Sequence, residues 1–360
     1  MKWEIAKLGK IAIIRTGKLD SNAAVIGGRY PFFTCDPNTL SIDVWAYDTE
    51  AVLLAGNNAS GNYTAKYYKG KFNAYQRTYI IESANEEELN IRYLYYALNQ
   101  QLRLLKTMSS GSTTKFLTIR MLDNLDIPLI GINIQTQIVN ILSAYDDLIE
   151  NNQKQIKLLE EAAQRLYKEW FVDLRFPGHE NTKIVDGVPE GWSRTNINGI
   201  LTFHRGYDLT KNEMKAGRYP VIGSTSIIGY HNEFKIKGPG IVTGRSGSLG
   251  KYQLVWDDFW PHNTSLYISN YKGHNIFFVY SLLQTVDFAS LNNGGAIPTL
   301  NRNVLSNIEV IEPEKKLQDV FAKIAEPQYQ KIKNLEKQND RLKTARDLLL
   351  PKFMSGEVEV

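Results

Sequence analysis

The sequence predicts an α+β fold built twice over: two similar mixed α/β domains, each followed by a long helix, with the two helices pairing as an antiparallel coiled coil. Two observations carry this reading. The chain repeats itself at an offset of 183 to 189 residues, and each copy ends in an apolar pattern that alternates steps of three and four.

The repeat is read residue by residue. Trp3, Gly17, Arg29, Tyr30 and Pro31 recur 189 positions later as Trp192, Gly206, Arg218, Tyr219 and Pro220. Gly111, Leu117, Leu122 and Asn124 recur 183 positions later as Gly294, Leu300, Leu305 and Asn307, and loop deletions in the second copy account for the drift. The expected division is a first domain over 1–133, a central helix over 134–176, a second domain over 187–312 and a second helix over 313–354. Each half is long enough to bury its own core.

Within each copy, short aromatic and β-branched runs alternate with Gly, Asn and Pro turns, which predicts strands. Residues 52–56 read as a buried strand entering a loop at 57–62, and residues 241–244 as its counterpart entering a loop at 245–250. One helical stretch per copy is expected, near Ile91 to Leu105 and Ile276 to Thr285. A further pair of turns, residues 109–115 and 292–296, matches across the repeat. Periodicity does not reveal a strand order.

The long helices are the clearest elements. Leu142, Tyr145, Ile149, Asn152, Ile156, Leu159, Ala163, Leu166 and Trp170 form an unbroken heptad seam, extended upstream by Ile134, Ile138 and Ile141. About 37 helical residues would span about 55 Å at about 1.5 Å each. A second seam in the same register runs through Ala325, Gln328, Ile332, Leu335, Asn339, Leu342, Arg346, Leu349 and Phe353. Gln328 and Arg346 suggest looser packing there. Pro313 suits the start of this helix, Pro351 its end, and Pro327 predicts a kink or break near Ile324. An antiparallel pairing sets Asn152 against Asn339 and Ile156 against Leu335, where a buried amide pair would fix register; wet seam edges are the alternative for the two amides. Such a pairing sends the two globular domains to opposite ends of one rod.

The formal net charge of +4 says little, but its distribution says more. Between Glu50 and Glu82 there is no acidic residue, while Lys66, Lys69, Lys71 and Arg77 interleave with tyrosines. Between Glu233 and Asp257, Lys235, Lys237, Arg245 and Lys251 likewise stand without an acid. Cations neutralise phosphates, and arginine can read guanine with two hydrogen bonds, so the recurrence points to DNA. The second loop is no nucleotide-binding phosphate loop, since Lys251 is followed by Tyr252 where Ser or Thr is required. Cys35 is the only cysteine and excludes an internal disulfide. His179, His204, His231, His262 and His274 are scattered as structural or surface groups, and no metal or other cofactor is expected. No apolar run approaches the roughly 20 residues of a membrane span, and the first residues do not open a signal peptide. A cytoplasmic protein without membrane contact is expected.

The stretch Tyr167-Lys168-Glu169-Trp170-Phe171-Val172-Asp173-Leu174-Arg175-Phe176-Pro177-Gly178-His179-Glu180, followed by Val188-Pro189-Glu190-Gly191-Trp192, resembles the central junction of the specificity subunit of type I restriction-modification systems. Ile297-Pro298-Thr299-Leu300-Asn301 adds to the resemblance, which extends over the whole chain. It implies that each globular half is a target recognition domain reading one part of a split double-stranded DNA sequence. The helices would space the halves and dock two methyltransferase subunits, with restriction and translocase subunits joined through the complex. The chain itself would neither cut nor methylate, and it carries no Asn-Pro-Pro-Tyr type tetrapeptide. The expected DNA contacts are Lys66, Lys69, Lys71, Arg77, Lys115, Arg205, Arg245, Ser246 and Lys251. The expected coiled-coil and partner contacts are Leu142, Tyr145, Ile149, Asn152, Ile156, Leu159, Leu166, Trp170, Ile332, Leu335, Asn339, Leu342 and Leu349. The competing reading is a two-headed coiled-coil protein that binds protein or carbohydrate, whose affinity would not respond to salt.

Overall fold

The computed structural model describes residues 3–108, 115–245, 250–286 and 308–359. The chain divides into two units, Met1–Asn151 with Gln338–Val360 and Asn152–Lys337, so that each takes a part of both long helices.

In the first unit a six-stranded sheet runs in the order Ala12–Thr16, Thr78–Ser83, Tyr47–Ala55, Ala65–Ala74, Tyr30–Phe33, Leu40–Ile42. Its strands are antiparallel except where Tyr30–Phe33 runs parallel to Ala65–Ala74. Side chains alternate along the central strand, so Val52 and Leu54 enter one core while Ala51 and Leu53 enter another. The first core is closed by the helix Ile91–Met108, whose Tyr93, Leu94, Ala97 and Leu98 lie on one face. Asn90 starts this helix by accepting the Arg92 and Tyr93 N–H groups on its Oδ1. The second core holds Phe33, Tyr47, Phe72 and Ile80.

The second unit follows the same path. Thr202–Arg205, Ser265–Asn270, Gly240–Gly244 and Tyr252–Val255 form one sheet in that order, and Ile227–His231, Tyr219–Ile222 and Trp260–Pro261 form another. The single strand Ala65–Ala74 thus has two successors, Tyr252–Val255 and Trp260–Pro261. The interruption falls at Asp257 and Asp258, poor strand formers that find partners elsewhere. Asp257 lies 3.5 Å from both Lys333 and Lys337, and Asp258 accepts the Gly238 N–H at 3.0 Å.

The two offsets of the repeat meet in one small sheet per unit. Glu4–Lys7 pairs with Asp126–Leu129, and Ser193–Asn196 pairs with Glu309–Glu312 in the same antiparallel register. The repeated glycine has a steric cause: a Cβ on Gly17 would stand 2.1 Å from the Ala74 carbonyl oxygen, and one on Gly206 2.1 Å from that of His262. The matched positions Gly111, Gly294, Leu300, Leu305 and Asn307, the turns at 109–114 and 292–296, and the motif at 297–301 lie outside the described residues.

The central helix spans Ile132–Tyr167 and continues into a π-helical turn, Lys168–Val172. A heptad seam directs Trp170 inward and its neighbour outward, but the wider π turn brings in both. The Phe171 ring lies 5.2 Å from Phe278, 5.3 Å from Phe321 and 5.9 Å from Trp192, at the centre of the second unit's core. The other long helix spans Lys315–Ser355 without a break. The break expected at Pro327 is therefore overturned, whereas Pro351 does fall near the end of the helix, at Ser355 against the expected 354. Pro327 and Lys323 are both exposed, so water can take the carbonyl that the proline leaves unbonded, while Ala325, Tyr329 and Ile332 stay anchored in the core.

Every seam position from Leu142 to Trp170 and from Ala325 to Phe353 is buried or half-buried, whereas Ile141 upstream is exposed, and the two helices run antiparallel within each unit. In the first, Leu142 shares a core with Phe353 while Asp146 meets Arg346; in the second, Ile156 shares a core with Ile332 while Trp170 packs on Phe321. Asn152 and Asn339 are each buried, which removes the reading of wet seam edges. Arg346 is not loosely packed. Its Nη1 lies 2.6 Å from Asp146 Oδ1, and the other oxygen of that carboxylate accepts the Tyr96 hydroxyl at 2.6 Å.

Two stability predictions result. Gly206→Ala forces a Cβ into a carbonyl, and overpacking of this kind costs about 1–3 kcal/mol; hydrogen exchange should show lost protection over residues 202–270 and unchanged protection over 12–83. Asp146→Ala removes one carboxylate from two hydrogen bonds and should lower the urea midpoint by an amount equivalent to about 1–3 kcal/mol, partly screened because the pair is not fully buried. An unchanged midpoint would mean that solvent already satisfies Arg346 and Tyr96.

Candidate nucleic-acid interface

One corner of the sheet has the same backbone hydrogen bonds in both units. In the first, the Thr78 N–H donates to the Tyr75 carbonyl at 2.8 Å, the Tyr75 N–H to the Phe33 carbonyl at 2.9 Å, and the Thr78 hydroxyl to that same carbonyl at 3.2 Å. In the second, the Ser265 N–H donates to His262 at 2.9 Å and the His262 N–H to Ile222 at 2.9 Å, while the Ser265 hydroxyl lies 2.7 Å from the His262 carbonyl and 3.2 Å from that of Ile222. The Gly17 N–H reaches the Thr78 carbonyl at 3.1 Å, as the Gly206 N–H reaches Ser265 at 3.0 Å. A tight turn is thereby pinned at its inner end, and its outer residues face solvent.

Cations gather at this corner. The Gly56 N–H donates to the Arg77 carbonyl at 2.8 Å, and the Arg245 N–H donates to the Thr264 carbonyl at 3.1 Å. Arg245 therefore occupies the place of Gly56, and Thr264 that of Arg77, so the two units supply their arginine from opposite sides of one junction. In the first unit the loop that follows is folded by Asn58, whose Oδ1 accepts the Ser60 and Asn62 N–H groups at 2.9 and 3.2 Å. Lys115–Phe116 pairs with Asn57–Asn58, which brings Lys115 to the same loop. A cleft of about 300 Å³ between them is lined by Thr16, Gly56, Gln76, Arg77, Tyr79 and Phe116. Lys106 joins the corner, donating to Asn62 Oδ1 at 2.7 Å. Sequence reasoning missed it because it ends an amphipathic helix with no basic run around it.

The other predicted cations divide differently. Lys66, Lys69 and Lys71 lie along the strand Ala65–Ala74, and each meets a group of its own unit. Lys66 donates to the Asp36 carbonyl at 3.0 Å, and burial pushes its ammonium pKa down against the pull of Asp36. Lys69 lies 2.8 Å from Glu50, whose hydrogen bond raises the lysine pKa. The other Glu50 oxygen accepts the Tyr67 hydroxyl at 2.8 Å, and burial with that carboxylate pushes Tyr67 up to about 12. Lys71 sits 4.8 Å above the Trp45 ring. In the second unit Arg205 stands at the corner, 3.7 Å from Asp208, and the Lys251 carbonyl accepts the Thr243 hydroxyl at 2.9 Å while its side chain faces solvent. Ser246 lies outside the described residues. No metal-binding cluster of His, Cys, Asp and Glu occurs among the described residues, and no described helix is long and apolar enough to cross a membrane.

Comparison with known proteins covers nearly the whole chain. The family described as the Type I restriction modification DNA specificity domain matches twice, over residues 1–161 and 189–344. The EcoDI specificity subunit of Escherichia coli is 26% identical over 414 aligned positions, covering 99% of this chain and 88% of the relative. The MjaIX specificity subunit of Methanocaldococcus jannaschii is 28% identical over 298 positions, covering 74% of this chain and 69% of the relative. The solved type I restriction-modification S subunit from M. genitalium shares the fold, with a TM-score of 0.66 at 19% identity over 98% of this chain and 96% of that one. With both halves of the repeat matched, the chain belongs to the type I restriction-modification DNA specificity family.

Proposed function

We propose that this chain is the sequence-reading subunit of a type I restriction-modification complex. Its two domains, 1–133 and 187–312, each read one half of a bipartite duplex target, and the helices 134–176 and 313–354 set the unspecified spacer between the half-sites. The observation that carries this reading is the doubled corner: one backbone frame, built twice in a family of DNA specificity proteins, presenting Arg77 with Lys115 in one unit and Arg245 with Arg205 in the other. A planar guanidinium in such a place can grip a phosphate or read a guanine edge. Lys66, Lys69, Lys71 and Lys251 border the corners as phosphate contacts, joined by Ser246, which follows Arg245 in the sequence.

The helices dock two methyltransferase subunits. Leu148, Leu158 and Leu348 point away from the seam and are exposed, which supports an apolar partner on the outside of the coil. Restriction and translocase subunits join through that complex, and the chain reads without cutting or methylating, in the cytoplasm.

Three measurements test the assignment. Selection from random duplexes by the full chain with its methyltransferase should yield a two-part sequence; Arg245→Ala should relax one part and Arg77→Ala the other, each by about 1–3 kcal/mol against the wrong base. Binding should also weaken steeply as salt rises. Salt-insensitive affinity would favour a protein or carbohydrate ligand instead. Replacing residues 1–133 with the same part of a relative should change one half of the target and preserve the other, since each unit has its own core; a folded exchange that alters both halves would sink the two-reader assignment.

A further inference from the structure

Each corner carries a side-chain pair that the arginines and lysines do not account for. In the first unit Leu19 bridges Tyr75, and in the second Tyr207 bridges His262. The residues that follow these four are Asp20 with Gln76 and Asp208 with Asn263. Gln76 Nε2 donates to Asp20 Oδ1 at 2.6 Å, and Asn263 Nδ2 donates to Asp208 Oδ1. The amides differ between the units, yet each makes the same bond from the same place at the outer end of the turn. Gln76, Asp20 and Asp208 are exposed and Asn263 is half-buried, so the bonds add little stability that would explain their recurrence.

The chemistry of the pair sets its orientation. A carboxylate only accepts, so the amide must turn its NH2 toward the aspartate. The amide oxygen and the second N–H are then left pointing away from the aspartate, an acceptor beside a donor. In the major groove only adenine presents the matching edge, with its N6 donor beside its N7 acceptor. Gln76 also lines the cleft beside Arg77, and its own N–H is tied to the Leu19 carbonyl at 2.8 Å. Asp208 is held in turn by Arg205 at 3.7 Å.

We propose that Gln76 and Asn263 each read one adenine, one in each half-site, and that Asp20 and Asp208 are the positioning residues that orient them. This rests on the two-reader function and adds the base each corner selects. The test is selection from a random duplex library by the full chain with its methyltransferase, comparing wild type with Gln76→Ala, Asn263→Ala and the double variant Gln76→Glu with Asp20→Asn. Each alanine variant should lose about tenfold to a hundredfold preference for adenine at a single position, in opposite halves of the target, and keep the remaining positions. The double variant preserves the hydrogen bond with donor and acceptor exchanged and leaves only acceptors at the tip, so the preference at that position should move to cytosine, whose N4 donates. This result stands even if the alanine variant of Gln76 folds poorly. A two-part wild-type target that neither alanine variant nor the double variant alters, or a loss spread evenly over all positions, overturns the inference alone. A wild-type protein that selects no sequence overturns the functional assignment and the inference with it.

Discussion

The close approach of a glycine to a backbone carbonyl is the contact on which each half of this protein depends. At Gly17 and at Gly206 the opening strand of a sheet comes so near the end of another segment that no side chain fits between them. That approach lets the Gly17 and Gly206 N–H groups reach the turns at 75–78 and 262–265, and the Tyr75 and His262 N–H groups then tie those turns to the parallel strand behind. A polar turn is rigid here because its inner bonds are buried. Its outer residues can then vary without moving the frame, as the exchange of Gly56 and Arg77 for Arg245 and Thr264 illustrates.

The long helices face a different constraint, since each seam includes polar positions. Asn152 and Asn339 are buried, Gln328 is half-buried with an amide oxygen that has no hydrogen-bond partner among the described residues, and Arg346 is paired. Arg346 would leave a charge in a half-apolar seam, but Asp146 meets it from the facing helix and also accepts the Tyr96 hydroxyl from the helix Ile91–Met108, so one carboxylate joins three elements of the first unit. In the second unit the corresponding joint is apolar, with Tyr167, Trp170, Phe171 and Phe321 packed edge to face. A pair of domains with one frame thus attaches to its helices by two unlike chemistries.

The cations of the recognition surfaces divide between those along the strand, which also meet groups of their own unit, and those gathered at the corner. Glu50 takes Lys69 and Tyr67, the Asp36 carbonyl takes Lys66, and Trp45 takes Lys71. The corner itself carries Arg77 with Lys115, and in the second unit Arg245 with Arg205, the last of these 3.7 Å from Asp208. Local density of lysine along a strand is thus a weaker guide to a ligand than the meeting of separate segments at one junction.

The two-domain α+β class, the helices at 91–105 and 276–285, the heptad seams and the family were legible in the sequence, because periodicity and repeated motifs are local properties that survive without a fold. The helix ends were less so. A proline reads as a break in isolation, yet Pro327 and Pro351 stay helical where neighbouring side chains are anchored in a core, and the π turn at 168–172 turns on aromatic packing around Phe171. The sheet order, the split of one strand at Asp257, and the pairing of Gln76 with Asp20 and Asn263 with Asp208 were decided only in three dimensions. Those contacts join residues 55 or 56 positions apart through strand register, and a single sequence records the partners of a hydrogen bond without recording which strands lie side by side.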